Sequence, residues 1–509
     1  LEIILVIDVG PTRCRVSYVG RQGGVVAAAE GSYLTGMVGN WVEQEPRDWW
    51  YEMTLALKEL RQQHPEITPS AITLTGYPRI LVLADDLDRL DSALLPSDRR
   101  STGEWQEMVQ QVGIDALLAS ADNVHDSTSH IARLMWLKKH SPTNYERARV
   151  IFLAAHEYIA WRLCGARVTD STTASLTDLY SLRQNDWAFD LLDVFQLRKD
   201  WFPRIVSAGT HIGDLDAAIA EKLGLPAGLP IYHGTADLAA TLLGTGVTKS
   251  HQTVCYLGDS GWLGAIELPE PGDPVTGLVN LRNPLGDGYM VIGPMITAGG
   301  NFEWLKDRFG VAEESLFADE KLPLVDLMMT LAAEAAVGSG GIIYLPYLSG
   351  EQAPFKDPNA RGGWFNVSRR SWRSDLYRAV LEGVAYSLRA IQLILPEAET
   401  TADPVLYLVG DENCTPFWAQ IFADVFDCRV ELLSPLDEVT ARGAAYAAGR
   451  TMGWHSTATP PYEFISSKGT YVPNPMNVPI YERMFNIFYK LYPALRSAFA
   501  EMSGSDNLL

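Results

Sequence analysis

The chain has 509 residues, 47% of them apolar, and a formal charge of −21. That length exceeds one ordinary core and predicts two large domains. The acidic balance excludes a nucleic-acid surface, which needs clustered Lys and Arg, but not a nucleotide held by backbone amides and a cation.

Five dispersed cysteines (Cys14, Cys164, Cys255, Cys414, Cys428) show no CxxC and no zinc-like spacing. An odd, scattered set reads as reduced thiols. No signal peptide or membrane span is legible, so a cytoplasmic globular protein is expected.

Ile3–Ile7 is a continuous apolar run, the pattern of a strand covered on both faces. It stops at Asp8-Val9-Gly10-Pro11-Thr12 and resumes over Cys14–Val19, a hairpin signal. Asp8, at the strand exit, has two readings. A buried carboxylate without a partner is costly, and a metal-bound phosphate would offset that cost, with the Thr12 hydroxyl and turn amides on the phosphate oxygens. Alternatively, Asp8 bonds its own turn backbone.

An amphipathic helix follows Glu45-Pro46 to about Gln62, then a strand over Ile72–Thr75, broken by Gly76-Tyr77-Pro78-Arg79. In the polar loop Pro96–Ser101, Asp98 and Arg100 either bind a polyhydroxylated ligand or form a solvated salt bridge. Ser127–His140 and Val150–Leu163 are read as helices. Ile231-Tyr232-His233-Gly234-Thr235-Ala236-Asp237 delivers an apolar run to a glycine, and a helix is expected over Leu238–Leu243. Asp237 is either the cap of that helix or a general base at the mouth of an open α/β sheet.

Thr253–Leu257, the break Gly258-Asp259-Ser260-Gly261 and Trp262–Ile266 repeat the logic of Ile3 to Val19 some 250 positions on, which suggests a duplicated domain. Small residues Ala298-Gly299-Gly300 open a helix carrying Trp304. The run Ile342–Tyr347 precedes a polar loop, and further expected elements are the strand Leu406–Val409 and helices over Asp375–Leu395, Gly443–Ala448 and Tyr481–Phe499.

Taken together, Asp8-x-Gly10 with Thr12 and Arg15, Gly234-Thr235-Ala236-Asp237, Ala298-Gly299-Gly300 with Trp304, Leu345–Glu351 with Pro354, and Asp375–Gly383 resemble the FGGY carbohydrate kinases, most of all their xylulokinase branch. The resemblance runs from Ile3 to about Gly449. It implies an α/β fold of two ribonuclease-H-like domains, as in actin and heat-shock ATPases, around a central cleft. Residues 1–248 would bind the sugar and supply the base; residues 249–509 would bind nucleotide. The implied cofactors are ATP and Mg2+, and the implied reaction phosphorylates a terminal hydroxyl of a ketose or polyol, D-xylulose to xylulose 5-phosphate in that branch. By position, Asp237 is the catalytic base and Asp8 the carboxylate near magnesium. Pro78 and Arg79 fall in the sugar-side segment. Gly10, Thr12 and Arg15 form the first phosphate motif and Gly258, Asp259 and Ser260 the second; Gly299, Trp304, Gly410, Asp411 and Asn413 meet nucleotide. Sugar and ATP are the expected partners, and the resemblance leaves room for a homodimer.

Several positions depart from the family pattern. Asp259 replaces a hydroxyl residue, Gly410-Asp411-Glu412-Asn413 replaces a glycine-rich adenosine motif, and Tyr77-Pro78-Arg79-Ile80 replaces Gln-Met-His-Gly. Arg133 stands for Lys and Asn366 for Gly. These departures motivate two alternatives, a kinase for a different sugar and a catalytically weakened sugar- or nucleotide-sensing relative.

Overall fold

The computed structural model describes residues 2–86, 88, 90–123, 125–247, 249–250, 252–310, 323–396, 404–410, 414–433, 435–455 and 467–504. Asp411 and Asn413 lie outside the described residues. The chain divides into two compact units, Leu1–Thr248 with Asn280–Met290 and Asp437–Ile465, and Lys249–Val279 with Val291–Leu436 and Ser466–Leu509. The units are therefore interleaved in sequence, and two later segments pack with the first 248 residues.

The first unit is built on a six-stranded sheet in the order His211–Asp214, Pro230–Tyr232, Ala71–Gly76, Ile3–Val9, Arg13–Gly20, Val25–Ser32. Ile3–Val9 runs antiparallel to Arg13–Gly20 and parallel to Ala71–Gly76. Its unbroken apolar run reflects cover on both faces. Ile3, Leu5, Ile7 and Val9 pack in one cluster with Trp49, Met53, Leu57 and Leu60 of the helix Pro46–Gln63. Ile4 and Val6 face the other way, against Ala240, Ala441, Ala444 and Ala448. Each such apolar side chain contributes about 1.5–3 kcal/mol by burial.

That second face explains why Asp437–Ile465 belongs to this unit. The helix Leu436–Thr451 meets the helix Asp237–Gly244 at glycines: a β-carbon on Gly443 would lie 1.8 Å from the Ala240 carbonyl oxygen, and one on Gly244 1.8 Å from that of Val439. The hydroxyls of Thr241 and Thr440 bond at 2.8 Å across the same contact. Gly443→Ala is expected to push two backbones apart, destabilising the protein by about 1–3 kcal/mol or more and lowering Tm by several degrees; an unchanged melting curve would contradict this packing.

The helix expected over Val150–Leu163 is in fact a strand, Val150–Ala154, followed by a helix, Ala155–Cys164. Val-Ile-Phe-Leu-Ala is fully buried beside Pro78–Ala84, and short apolar runs do not distinguish strand from helix by period alone.

In the second unit the hairpin recurs. Gln252–Leu257 runs antiparallel to Gly261–Leu268 and parallel to Val405–Gly410, which runs parallel to Arg429–Leu433. The hairpin and its two parallel neighbours repeat the first unit's Ile3–Val9, Arg13–Gly20, Ala71–Gly76 and Pro230–Tyr232. The helix Arg373–Gln392 lies at the centre of this unit's core, with Tyr377, Val380, Leu381, Val384 and Leu388 buried. Among the described residues, no helix is long and apolar enough to cross a membrane.

Candidate active site

The turn carrying Asp237 is shaped by close packing. A β-carbon at Gly234 would sit 1.6 Å from the Leu74 carbonyl oxygen, so only glycine passes here. Thr75 Oγ1 donates to the Thr235 carbonyl at 2.8 Å, and Thr235 Oγ1 donates to Asp170 Oδ2 at 2.8 Å. Asp237 then occupies the first helical position, with Ala236 at the N-cap. It is not the cap of its own helix. Its Oδ1 accepts from Leu238 N at 2.6 Å. Burial pushes its carboxyl up to about 6, against a lowering effect of the Leu238 N–H. Such a group is ionised at neutral pH yet basic enough to accept a proton.

Asp8 lies in the strand, paired in register with Arg15 and Thr75, rather than in a self-bonded turn. Its Oδ1 is enclosed and has no hydrogen-bond partner among the described residues. Burial first, then the charges of Asp237 and Asp437, push its carboxyl up to about 8, while Arg15 and Arg13 pull it down. A hard, enclosed carboxylate oxygen without a hydrogen bond suits a divalent cation such as Mg2+.

Around Asp8, Gly10 N donates to the Arg13 carbonyl at 2.9 Å, and the Tyr33 hydroxyl donates to the Gly10 carbonyl. Thr12 is exposed at the tip of this turn. Arg15 Nη1 reaches Asp437 Oδ2 at 3.1 Å, and Arg13 Nη2 reaches the same oxygen at 2.7 Å. Arg15 Nε remains buried without a partner among the described residues, a donor free for an anion. Sequence reasoning missed Arg13 and Asp437. The only local signal for Asp437 is an acid in the first turn of a helix, and nothing in the sequence pairs it with residues more than 400 positions away.

On the segment expected to face the sugar, burial and then the Asp237 charge push the Tyr77 phenol above its ordinary range, which places this segment within electrostatic reach of Asp237. Pro78 is buried at the start of Pro78–Ala84, and Arg79 has φ +63 with Nη2 on Thr128 Oγ1 at 3.1 Å. Arg133 is fully buried and holds the Arg79 and Leu95 carbonyls at 2.8 and 2.6 Å. Two planar donors on two carbonyls are work a lysine cannot reproduce.

Asp98 and Arg100 are not free ligand groups, nor a solvated pair. Asp98 is 0% exposed. It accepts from Val42 N at 2.6 Å and from Arg100 N and Nε at 3.1 and 3.0 Å. Arg100 also pairs with Glu43 at 2.7 Å and lies over Trp41, 4.2 Å from the ring centroid. Fully buried and bonded on both oxygens, Asp98 fixes its loop together with Arg100.

In the second unit, Gly299 N donates to the Gly258 carbonyl at 2.7 Å, and Ala298 N and Gly300 N donate to the Asp259 carbonyl at 2.8 and 3.1 Å. The turn Gly258-Asp259-Ser260 is thereby seated on the start of the helix Gly300–Phe309, with Asp259 and Ser260 exposed. A β-carbon at Gly300 would lie 2.3 Å from Asp259 Oδ1. The carboxylate therefore rests at the positive end of that helix, where a negative charge is favoured. Trp304 packs with Phe309 and Trp364, at centroid distances of 5.7 and 5.9 Å. Gly410 is buried at its strand end, in register with Leu257. Asn366 has φ +66 and donates to the Gly341 carbonyl at 3.0 Å; asparagine tolerates the left-handed region where the family carries glycine. Glu351, exposed by only 1%, receives Ile296 N and Gln352 N on Oε1 and is pushed up to about 8 by burial.

Two family models cover this chain: the N-terminal domain of the FGGY family of carbohydrate kinases over residues 3–244 and its C-terminal domain over residues 253–452. The chain belongs to the FGGY family of carbohydrate kinases. This FGGY kinase is 28% identical over 504 residues to the xylulose kinase of Bacillus subtilis, covering 97% of each chain. It is 22% identical over 509 residues to the gluconokinase of Bacillus licheniformis, covering 98% of this chain and 97% of that one. In fold it matches the ligand-bound xylulose kinase of Lactobacillus acidophilus, with TM-score 0.88, 22% identity and coverage of 99% and 100%. It also matches Plasmodium falciparum glycerol kinase with ADP, with TM-score 0.83, 18% identity and coverage of 96% and 98%. The protein is an ATP-dependent carbohydrate kinase with the two-domain, actin-like ATPase fold.

Proposed function

We propose that this kinase phosphorylates the terminal hydroxyl of a ketose, with D-xylulose giving xylulose 5-phosphate, and that Asp237 is its base. The observation that carries this reading is the Asp237 carboxyl itself, held at a helix start with its pKa lifted to about 6 and Oδ1 tied to Leu238 N. In the reaction the sugar hydroxyl yields its proton to Asp237, its oxygen forms a bond to the γ-phosphorus, and the bond to the ADP oxygen breaks. Positioning and charge neutralisation supply most of the acceleration.

Residues 1–248 bind the sugar in this reading, through the Tyr77-Pro78-Arg79 segment beside the base, and residues 249–509 bind nucleotide. Asp8 would hold Mg2+, which when bound neutralises phosphate charge. The orphaned Asp8 Oδ1 and the spare Arg15 Nε support these roles. Gly10 and Thr12 line the first phosphate turn; Gly258, Asp259 and Ser260 line the second, with Gly299, Trp304 and Gly410 on the nucleotide side. Asp259, resting on the helix start, is compatible with ATP use. Five cysteines, none in a disulfide, accord with a cytoplasmic protein, and a homodimer is the proposed assembly.

The curated relatives include a xylulose kinase and a gluconokinase, so the acceptor is the part most in need of measurement. ADP release with ATP and Mg2+ across pentuloses, hexuloses, gluconate and glycerol tests it. The expected result is a kcat/KM for D-xylulose at least about tenfold above the others, the scale of discrimination that polar contacts readily exceed. Faster turnover of another acceptor would reassign the sugar.

A further inference from the structure

One cluster of titratable groups takes no part in the chemistry above, although it adjoins the Asp237 turn. His233 is the residue immediately before Gly234. His156 is the second residue of the helix Ala155–Cys164, and Asp170 ends the strand Val168–Asp170. All three are 0% exposed. One donor atom from each lies within 4.8 Å of the other two. His233 Nε2 stands 3.8 Å from Asp170 Oδ1, beyond hydrogen-bond range, and the two imidazole centroids are 5.2 Å apart.

No group among the described residues lies within normal hydrogen-bond distance of any of the four imidazole nitrogens, the Gly76 backbone and Asp170 Oδ1 being weak, longer-range partners. A neutral imidazole carries one donor and one acceptor, so four buried polar atoms stand without a well-formed hydrogen bond, a costly state in a dry interior. Asp170, by contrast, is locked in place. Its Oδ2 accepts from Thr172 N, Thr173 N and Thr235 Oγ1 at 3.1, 3.2 and 2.8 Å, and its Oδ1 from Thr173 Oγ1 at 2.6 Å. Hydrogen-bonded carboxylates of this kind orient metal ligands.

We propose that His156, Asp170 and His233 bind one divalent transition-metal ion of the zinc class. Two imidazoles and one carboxylate are a donor set for zinc, iron, nickel or copper, not for oxygen-demanding Mg2+. Metal–ligand bonds of about 2.0–2.2 Å put neighbouring donors roughly 3.4 Å apart, so closing the triangle requires roughly an ångström of side-chain rotation. For His156 and Asp170 the protonation states match what a metal requires. Burial, then His233, brings His156 down to about 3, which keeps it neutral. Despite burial, the groups around Asp170, His233 and Thr173 foremost, hold its carboxyl below the usual range.

The ion is structural. Its ligands are fully buried, and they tie a helix start and a strand end to the residue preceding Gly234. Thr235 already bonds Asp170, so the ion would fasten both ends of the turn that presents Asp237. This proposal stands apart from the choice of sugar and from Mg2+ at Asp8.

The test is elemental analysis from manganese to zinc on full-length protein, its tag removed, equilibrated with zinc and then with metal-free buffer. About one equivalent per chain is expected, falling to less than about a tenth in His156→Gln and in His233→Gln. Zinc should raise the Tm of metal-stripped wild type, and the cobalt form should show d–d bands without a thiolate charge-transfer band, which sets the site apart from the cysteines. Metal-free wild type whose Tm ignores zinc would overturn the proposal, because water would then satisfy the imidazoles. So would a metal content unchanged in both variants. Should the variants fail to fold, the wild-type stoichiometry, Tm response and cobalt spectrum decide by themselves.

Discussion

Asp237→Asn is expected to lower kcat by about 10²–10⁴-fold, the usual contribution of a positioned general base, with little change in KM for sugar or ATP. The substitution keeps the side-chain shape and the carbonyl oxygen that accepts from Leu238 N, so the helix start survives. What is lost is the ability to take a proton as the hydroxyl oxygen attacks. Because burial lifts the wild-type carboxyl to about 6, replacing it with a neutral amide removes a charge held at some cost, and Tm should not fall. ADP release with a coupled assay, alongside a melting curve, checks both halves. Turnover within about tenfold of wild type would remove Asp237 from the role of base.

Asp8→Asn is expected to separate activity from stability in opposite directions. Activity should fall on the order of 10²–10⁴-fold, since several kcal/mol of charge stabilisation at the phosphoryl group would be lost with the cation. Stability should rise. The folded protein holds Asp8 at about 8 against an ordinary value of 3.8. Between those values the folded state keeps a proton that the unfolded chain has released, so metal-free wild type loses stability as pH climbs from about 4 to about 8. The Asn variant lacks this penalty, and its metal-free Tm at pH 7.5 should exceed that of wild type by a few degrees, at about 2–4 °C per kcal/mol for domains of this size. Differential scanning calorimetry in chelator, paired with the activity assay, measures both. A variant that is both inactive and less stable would mean that Asp8 supports the fold rather than the phosphate.

Much of this was legible because local physics left few options. Ile3–Ile7 reads as a doubly covered strand, and the structure covers it on both faces. The repeat of strand, glycine turn and strand at Thr253–Ile266 anticipated the second sheet. Gly234 before Asp237 flagged a close approach, found against the Leu74 carbonyl. Val150–Ala154 was misread because five buried apolar residues carry no period. Asp98 and Arg100 look like polar loop groups until burial shows that their hydrogen bonds are spent on each other and on Val42 and Glu43 of a neighbouring strand. Asp437, the interleaving of Asp437–Ile465 with the first unit, and the His156–Asp170–His233 triangle depend on contacts tens to hundreds of residues apart. No window along the chain contains them.

The central claim, that a carboxyl lifted by burial takes the acceptor's proton, is tested most directly by the pH dependence of kcat/KM for the sugar at saturating Mg2+ and ATP, where a cation at Asp8 would keep that carboxyl ionised. The base works only when ionised, so the rate should fall about tenfold per pH unit below a midpoint near 6, the value that burial sets for Asp237. That limb should be missing from the residual activity of Asp237→Asn. A midpoint near 4, or a limb that persists in the variant, would contradict the account.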